Sequence, residues 1–285
     1  MCPDLFEIGP VPIRSYGLMM ALSFLLGIWY IHRACAKHKR PFEQYLSIAY
    51  ILIFGGVIGA RIAYVLLHWS EFSGHLLDAI NPFQPGQFGI AGMNLYGGVL
   101  AAIGGAYLYC KWKKLNVLDT FDHFAPTLAL GIGISRIGCF LTGCCFGTPT
   151  DLPWGVEFPM GSVPWALFGS QHIHPAQLYS SAYGLLLFAY LHYRLNRRKF
   201  AGQLVGITFM VEAFFRFVIE YVRYYEDAMI FSLGGVEATY NQVISVLLFV
   251  LGAIVYITKR RSGLPEDPSL ASQQDTRSGD SYINE

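Results

Sequence analysis

The stretch from Gly131 to Pro159, GIGISRIGCFLTGCCFGTPTDLPWGVEFP, decides how the chain is read. It starts as the end of an apolar helix and carries one charge, Arg136, where a helix leaves a membrane. It then becomes a loop rich in Gly, Cys and Pro and closes on Asp151-Leu-Pro-Trp-Gly155. A lone Arg at such a depth is costly unless it holds an anion or lines a polar cavity. Two readings follow: a tight inter-helix loop whose Arg snorkels to the headgroups, or a site in which glycines let backbone approach an anionic ligand closely.

Working outward, the 285 residues are 54% hydrophobic and only 14% charged. Soluble domains carry about 25% charged residues, so the long apolar runs describe a membrane protein. Apolar windows fall at about 16–34, 46–67, 96–110, 120–138, 176–193, 203–222 and 240–258. Most approach the ~20 residues that span a bilayer. The expectation is an all-α polytopic fold of about seven spans over residues 1–262. The polar stretch 263–285 is expected to be a disordered cytoplasmic tail, having too little apolar surface to fold. The N-terminal segment lacks the pattern of a cleavable signal peptide.

Lys and Arg concentrate on the cytoplasmic side of membrane proteins. Segments 32–40, 111–114, 194–199 and 259–261 hold 14 of the 20 basic residues, whereas 68–95 and 139–175 hold none. This alternation puts the N-terminus outside and the C-terminus in the cytoplasm. No basic stripe points to nucleic acid.

Arg61, Arg136, Glu212, Arg216 and Glu220 fall in or at the ends of apolar spans. Glu212, Arg216 and Glu220 are four apart and share one helix face, which Arg223 continues. Internal ion pairing is one reading of that face. The other is that Arg136 and Arg216, both in the outer half of the membrane, clamp a phosphate with their planar forks of donors. The phosphates available there belong to phospholipid headgroups. Arg61 reads as a structural residue paired with Glu212 or Glu220. Gly55, Gly56 and Gly59 beside it read as close helix packing. Ser15-Tyr16-Gly17, Asn94-Leu-Tyr-Gly-Gly98 and His174-Pro-Ala-Gln-Leu-Tyr179 open three spans on the same side. The Cys139, Cys144 and Cys145 spacing lacks the Cys-x-x-Cys pairing of common zinc sites. It reads as small packing residues or as a disulfide that includes Cys139.

Arg136-Ile-Gly-Cys-Phe-Leu-Thr-Gly-Cys-Cys-Phe-Gly147, with Asp151-Leu-Pro-Trp-Gly155, resembles the signature of prolipoprotein diacylglyceryl transferases, roughly G-R-x-G-N-F-x-N-x-E-x-x-G. Four further segments are similar to motifs of that family: Tyr16-Gly-Leu18, Gly59-Ala-Arg-Ile-Ala-Tyr64, His174-Pro-Ala-Gln-Leu-Tyr179 and Phe215-Arg-Phe-Val-Ile-Glu-Tyr-Val-Arg223. Tyr96-Gly-Gly98 stands where the family has His-Gly-Gly. Ser135, Cys139, Thr142 and Cys144 replace the first Gly, the two Asn and the Glu of the signature.

The resemblance implies transfer of an sn-1,2-diacylglyceryl group from phosphatidylglycerol to the lipobox Cys of a prolipoprotein signal peptide, releasing glycerol-1-phosphate. It implies a bacterial inner membrane, a site toward the outer leaflet, and no metal or organic cofactor. Under it, Arg136 and Arg216 hold the phosphate, and Tyr96 or His174 deprotonates the thiol. Glu220 and Arg223 orient the arginines. Tyr16, Gly97, Gly98, Gly138, Cys139 and Gly143 line the substrate cavity. The alternatives are a paralogue acting on another acceptor, a phospholipid or anion transporter that uses the same arginines, and a membrane sensor or scaffold in which they are packing pairs.

Overall fold

The computed structural model describes residues 4–8, 11–72, 74, 83–84, 87–88, 92–225, 230–233 and 236–261. The tail expected to be disordered, 263–285, lies outside the described residues. The architecture is helical, as the apolar windows require. A short hairpin, β1 (Asp4–Ile8) with β2 (Val11–Arg14), leads directly into α1 (Ser15–Lys37). Then come α2 (Phe42–Leu67), the single turn α3 (Trp69–Phe72) and the two-residue strands β3 (Phe83–Gln84) and β4 (Gln87–Phe88). They are followed by α4 (Leu95–Trp112), α5 (Val117–Thr142), the short α6 (Val163–Phe168), α7 (Ala176–Leu195) and α8 (Gln203–Ile219). A second hairpin, β5 (Ile230–Leu233) with β6 (Val236–Thr239), leads into α9 (Tyr240–Arg261).

Among the described residues, four helices are long and apolar enough to cross a membrane: α1, α2, α5 and α9. Their outer faces stay apolar where a soluble protein would be polar. Leu25, Phe54, Leu66 and Leu247 are each more than 60% exposed. Such surface is stable only against hydrocarbon.

The chain divides into two compact units, Met1–Gly27 with Phe121–Glu285, and Ile28–Thr120. In the second unit α2 packs along α4 through small residues. A Cβ on Gly59 would strike the methyl of Ala101, one on Gly97 the methyl of Ala63, and one on Gly98 would lie 2.7 Å from the Gly56 carbonyl. Asn94 caps α4 by accepting the Gly97 N–H at 2.9 Å. The expected packing role is met at Gly59, and Gly97 and Gly98 share it, whereas a Cβ on Gly55 or Gly56 would make only ordinary contacts, at 3.8 Å or more.

In the first unit, α5 meets α7 where Gly184 faces Gly133, and Ser181 donates to the Gly133 carbonyl at 2.7 Å. α8 lies along α9 with Gly206 against Gly252. The start of α8 is fixed from α5. Asp122, fully buried, accepts the N–H groups of Gly202, Leu204 and Val205, each at 2.9 Å. A carboxylate there satisfies donors that no residue within the helix can reach, and it complements the positive end of the helix dipole.

Candidate functional site

The signature stretch ends α5 and turns back on itself. The amides of Gly143 and Cys144 bond the carbonyls of Phe140 and Cys139 at 3.2 and 3.1 Å. Gly143 (φ 74°) and Cys145 (φ 57°) both adopt the left-handed conformation. That costs a non-glycine residue roughly 1 kcal/mol. The turn brings the sulfurs of Cys139, Cys144 and Cys145 within 4.8 Å of one another. All three are free thiols, with Cys139 buried, Cys145 partly buried and Cys144 exposed. Gln177 of α7, fully buried, donates from Nε2 to the Cys144 carbonyl at 2.7 Å and pins the loop.

Beyond the cysteines the loop is stitched to two other segments as a narrow strand-like seam. Gly147 N–H donates to His174 O at 3.1 Å, and His174 N–H to Thr148 O at 3.0 Å. Thr148 N–H donates to Val222 O at 2.9 Å, and Tyr224 N–H to Phe146 O at 3.2 Å. A Cβ on Gly147 would lie 2.6 Å from both the His174 and Val222 carbonyls, so only glycine fits there. Phe146, Phe158 and Ile173 pack beneath the seam with Phe168 and Tyr224. The seam fixes His174 and Arg223 to the loop that follows Arg136.

The three candidate arginines, Arg136, Arg216 and Arg223, are held differently. Arg216 Nη2 pairs with Glu220 Oε1 at 3.1 Å and donates to the Tyr225 hydroxyl at 3.2 Å. Glu220, fully buried at its side chain, also accepts from Tyr225 at 2.7 Å and from Thr239 at 2.7 Å. Burial, and then the bond to Glu220, hold the Tyr225 hydroxyl above its ordinary range, so it is a donor at neutral pH. Arg223 lies over the Tyr225 ring at 5.0 Å, and its buried Nε has no hydrogen-bond partner among the described residues. Arg136 is partly buried and forms no ion pair within 4.0 Å and no hydrogen bond among the described residues. Its electrostatic surroundings are Cys139, Cys145, Tyr183 and Glu212. Glu212 itself accepts from Tyr183 at 2.8 Å, and the Tyr183 ring stacks on Phe215 at 4.7 Å.

A partly buried guanidinium with no carboxylate within 4.0 Å among the described residues, sharing Glu212 as an electrostatic neighbour with an Arg216 oriented by a buried Glu, can receive an anion. Its sequence context is decisive. A sequence model described as Prolipoprotein diacylglyceryl transferase matches residues 3–258. The chain belongs to the prolipoprotein diacylglyceryl transferase family. It is 30% identical over 256 residues to the phosphatidylglycerol--prolipoprotein diacylglyceryl transferase of Clostridium tetani, covering 90% of this chain and 97% of that one. The Vibrio cholerae protein of the same name is 31% identical over 268 residues, covering 93% and 94%. That of Pseudoalteromonas translucida is 30% identical over 263 residues, covering 90% and 93%.

Measured against that family, the sequence-nominated residues separate by unit. Arg136, Gly138, Cys139, Gly143, Arg216, Glu220, Arg223, His174 and Tyr16 belong to the first. Gly138 lets α5 approach α1: a Cβ there would lie 3.0 Å from Met19 Cβ and 3.3 Å from Tyr16 Cα. Tyr16 shares electrostatic surroundings with Arg136 and the three cysteines. Tyr96, Gly97 and Gly98 belong to the other unit, at the start of α4, where the two glycines face α2. Arg61 is buried there too. It donates to the Gly92 carbonyl at 3.1 Å and lies over the Tyr64 and Phe72 rings at 5.6 and 5.3 Å. The carboxylates expected to pair with Arg61 are engaged by Tyr183 at Glu212, and by Arg216, Tyr225 and Thr239 at Glu220.

His174 Nδ1 lies 3.3 Å from the Tyr179 hydroxyl, which accepts from Trp154 Nε1 at 2.7 Å. For Nε2 to take a proton, Nδ1–H must donate to Tyr179, whose second lone pair is available beside the one Trp154 uses. The residues that sequence reasoning missed are Tyr183, Gln177 and Tyr225. Among 18 tyrosines no local pattern separates these two from interfacial anchors. Gln177 lies within the His174–Tyr179 motif, which gave it no role of its own.

Proposed function

We propose that this chain transfers an sn-1,2-diacylglyceryl group from phosphatidylglycerol to the lipobox cysteine thiol of prolipoproteins, releasing glycerol-1-phosphate. The observation that carries the reading is Arg136, partly buried, with no carboxylate within 4.0 Å among the described residues and with Glu212 as an electrostatic neighbour that it shares with Arg216. It is supported by the family and by relatives whose names carry the same two substrates.

The reaction forms a C–S bond at the glyceryl carbon and breaks the C–O bond to phosphate, whose oxygen keeps the electron pair. The phosphodiester monoanion becomes a phosphomonoester that takes on further negative charge. Donors fixed in advance on that oxygen favour the transition state over the bound lipid. Arg136 offers its unpaired fork to the phosphate. Arg216, aimed by Glu220 and Tyr225, is the second clamp, and Arg223 adds positive charge from the seam. The acceptor must react as thiolate, and His174 and Tyr96 are the side chains nominated to take its proton. Tyr16, Gly138, Cys139 and Gly143 are the residues of the first unit nominated to shape the lipid cavity, and Gly97 and Gly98, nominated with them, pack on α2 in the second.

The same reading has seven crossings, using α4, α7 and α8 besides the four helices that are both long and apolar enough to cross. The N-terminus lies outside, and the site opens to the outer leaflet of a bacterial inner membrane. The alternation of basic segments supports this orientation. Residues 263–285 are a cytoplasmic tail outside the transfer domain.

Release of glycerol phosphate tests the reading. Purified protein with phosphatidylglycerol is expected to release it only when a lipobox peptide with a free Cys is present. Release that ignores the peptide would make the protein a lipase, and no release by folded protein would remove the transferase reading.

A further inference from the structure

We propose that Cys139, Cys144 and Cys145 form a three-thiolate site for a zinc ion, with the fourth coordination position open to the acceptor thiol. The metal half of this stands on the cluster alone; the acceptor half rests on the transfer reaction proposed above.

The three sulfurs lie within 4.8 Å of one another. Zn–S bonds of ~2.3 Å in tetrahedral geometry set sulfurs about 3.8 Å apart, so closing on the ion takes about 1 Å of movement or less at each pair. The backbone is arranged for this convergence. One ligand sits on the last turn of α5 and two on the reversal after it, where Cys145 accepts a left-handed conformation (φ 57°) to point back. Gln177 holds the reversal by the Cys144 carbonyl. The donor set is all thiolate, which selects a soft or borderline ion over magnesium or calcium.

Charge also fits. Zinc with three thiolates carries one net negative charge, and Arg136 and Arg223 act electrostatically on Cys145 from close by. Burial is graded: Cys139 is buried while Cys144 is exposed, which leaves one side of the ion facing out. Three ligands and one open position is the pattern of catalytic rather than structural zinc.

That open position has an evident occupant. A thiol that coordinates zinc is deprotonated outright, so the acceptor would bind as thiolate and give its proton to solvent. The bound sulfur would attack the glyceryl carbon, the C–O bond would break, and its electron pair would leave with the phosphate held by Arg136. The chain then needs no strong base at Tyr96, and Cys144 serves where the family pattern has a Glu.

Cobalt(II) is the probe. Anaerobic titration of reduced, detergent-purified full chain is expected to bind one ion per chain, with a sulfur-to-cobalt charge-transfer band and the visible bands of tetrahedral cobalt. Cys139→Ser, Cys144→Ser and Cys145→Ser each lose the band, while Cys35→Ser keeps it. Cys144 is exposed, so its variant tests the site without disturbing the core. Zinc is expected to displace the cobalt and to be found by elemental analysis of protein purified without chelator. A lipobox peptide with free Cys shifts the visible bands, and its Ser counterpart does not. Equal metal binding by wild type and Cys144→Ser, or no binding with all three thiols reactive, overturns the site. A three-cysteine band indifferent to the peptide overturns the acceptor role alone. None of these readouts depends on turnover, so a failed transfer reaction is distinguishable from a failed metal site.

Discussion

Arg136 and Arg216 are both guanidiniums on apolar helices, yet their surroundings give them different mutational signatures. Arg136 has no carboxylate within 4.0 Å among the described residues, and Glu212 near it keeps its bond from Tyr183, so Arg136→Ala is expected to fold normally and lose transfer by about 10²–10³-fold, the size of losing one preorganised donor to a developing oxyanion. Arg216→Ala also leaves the buried Glu220 with one cation fewer, so it is expected to lose activity and lower the thermal midpoint in detergent. Equal stability losses in the two variants would contradict this division. Tyr225 gives a pH signature. Its folded pKa lies above the unfolded value, so the native state holds the proton more tightly. The contribution to stability is complete below about pH 10 and is lost as pH rises through the folded value. Wild type is therefore expected to lose more thermal stability in alkali than Tyr225→Phe, and identical alkaline profiles would remove Tyr225 from the network. At this scale the charges were legible, because an ionisable residue in an apolar run announces itself. Their partners were not: Thr239 reaches Glu220 across 19 residues and Tyr183 reaches Glu212 across 29.

Helix α8 shows what spacing can and cannot give. The four-residue interval of Arg216 and Glu220 predicts a shared face, and the pair closes at 3.1 Å. The same interval between Glu212 and Arg216 does not close into a pair, because Glu212 is taken by Tyr183 from α7. The start of α8 was invisible in the sequence, since its cap, Asp122, is 80 residues upstream of Gly202. Asp122→Ala strands three buried N–H groups and removes the carboxylate that lies 3.5 Å from Arg198. A loss of about 3–5 kcal/mol is expected, read as a large drop in the thermal midpoint; a drop of only a degree or two would mean that water replaces the carboxylate. The cysteine cluster escaped for a related reason. Motif spacing recognises ligands on simple turns, whereas here a helix end and two left-handed residues fold Cys139 onto Cys144 and Cys145. The close approach of α2 and α4 was readable at Gly59, because a glycine in an apolar span serves close packing, but the same reading overreached at Gly55 and Gly56, where a Cβ would fit.

For the whole molecule, the helical membrane class followed from apolar length alone, and the family from five ordered motifs. The proposed seven crossings rest on the apolar windows, and their proposed orientation on the distribution of Lys and Arg. Alkaline phosphatase fused after Gly161 is expected to be active and one fused after Lys199 inactive, and the reverse pattern would turn the protein over and put the arginines on the wrong leaflet. The central claim is the transfer itself, and the mass of the acceptor peptide tests it most directly. Full-length protein, phosphatidylglycerol and a lipobox peptide are incubated together, and the peptide is weighed. The account predicts a gain of one diacylglyceryl group on the cysteine, absent when that Cys is Ser and nearly abolished by Arg136→Ala. A peptide of unchanged mass in the presence of folded, lipid-binding protein, or modification that persists undiminished in Arg136→Ala, would contradict it.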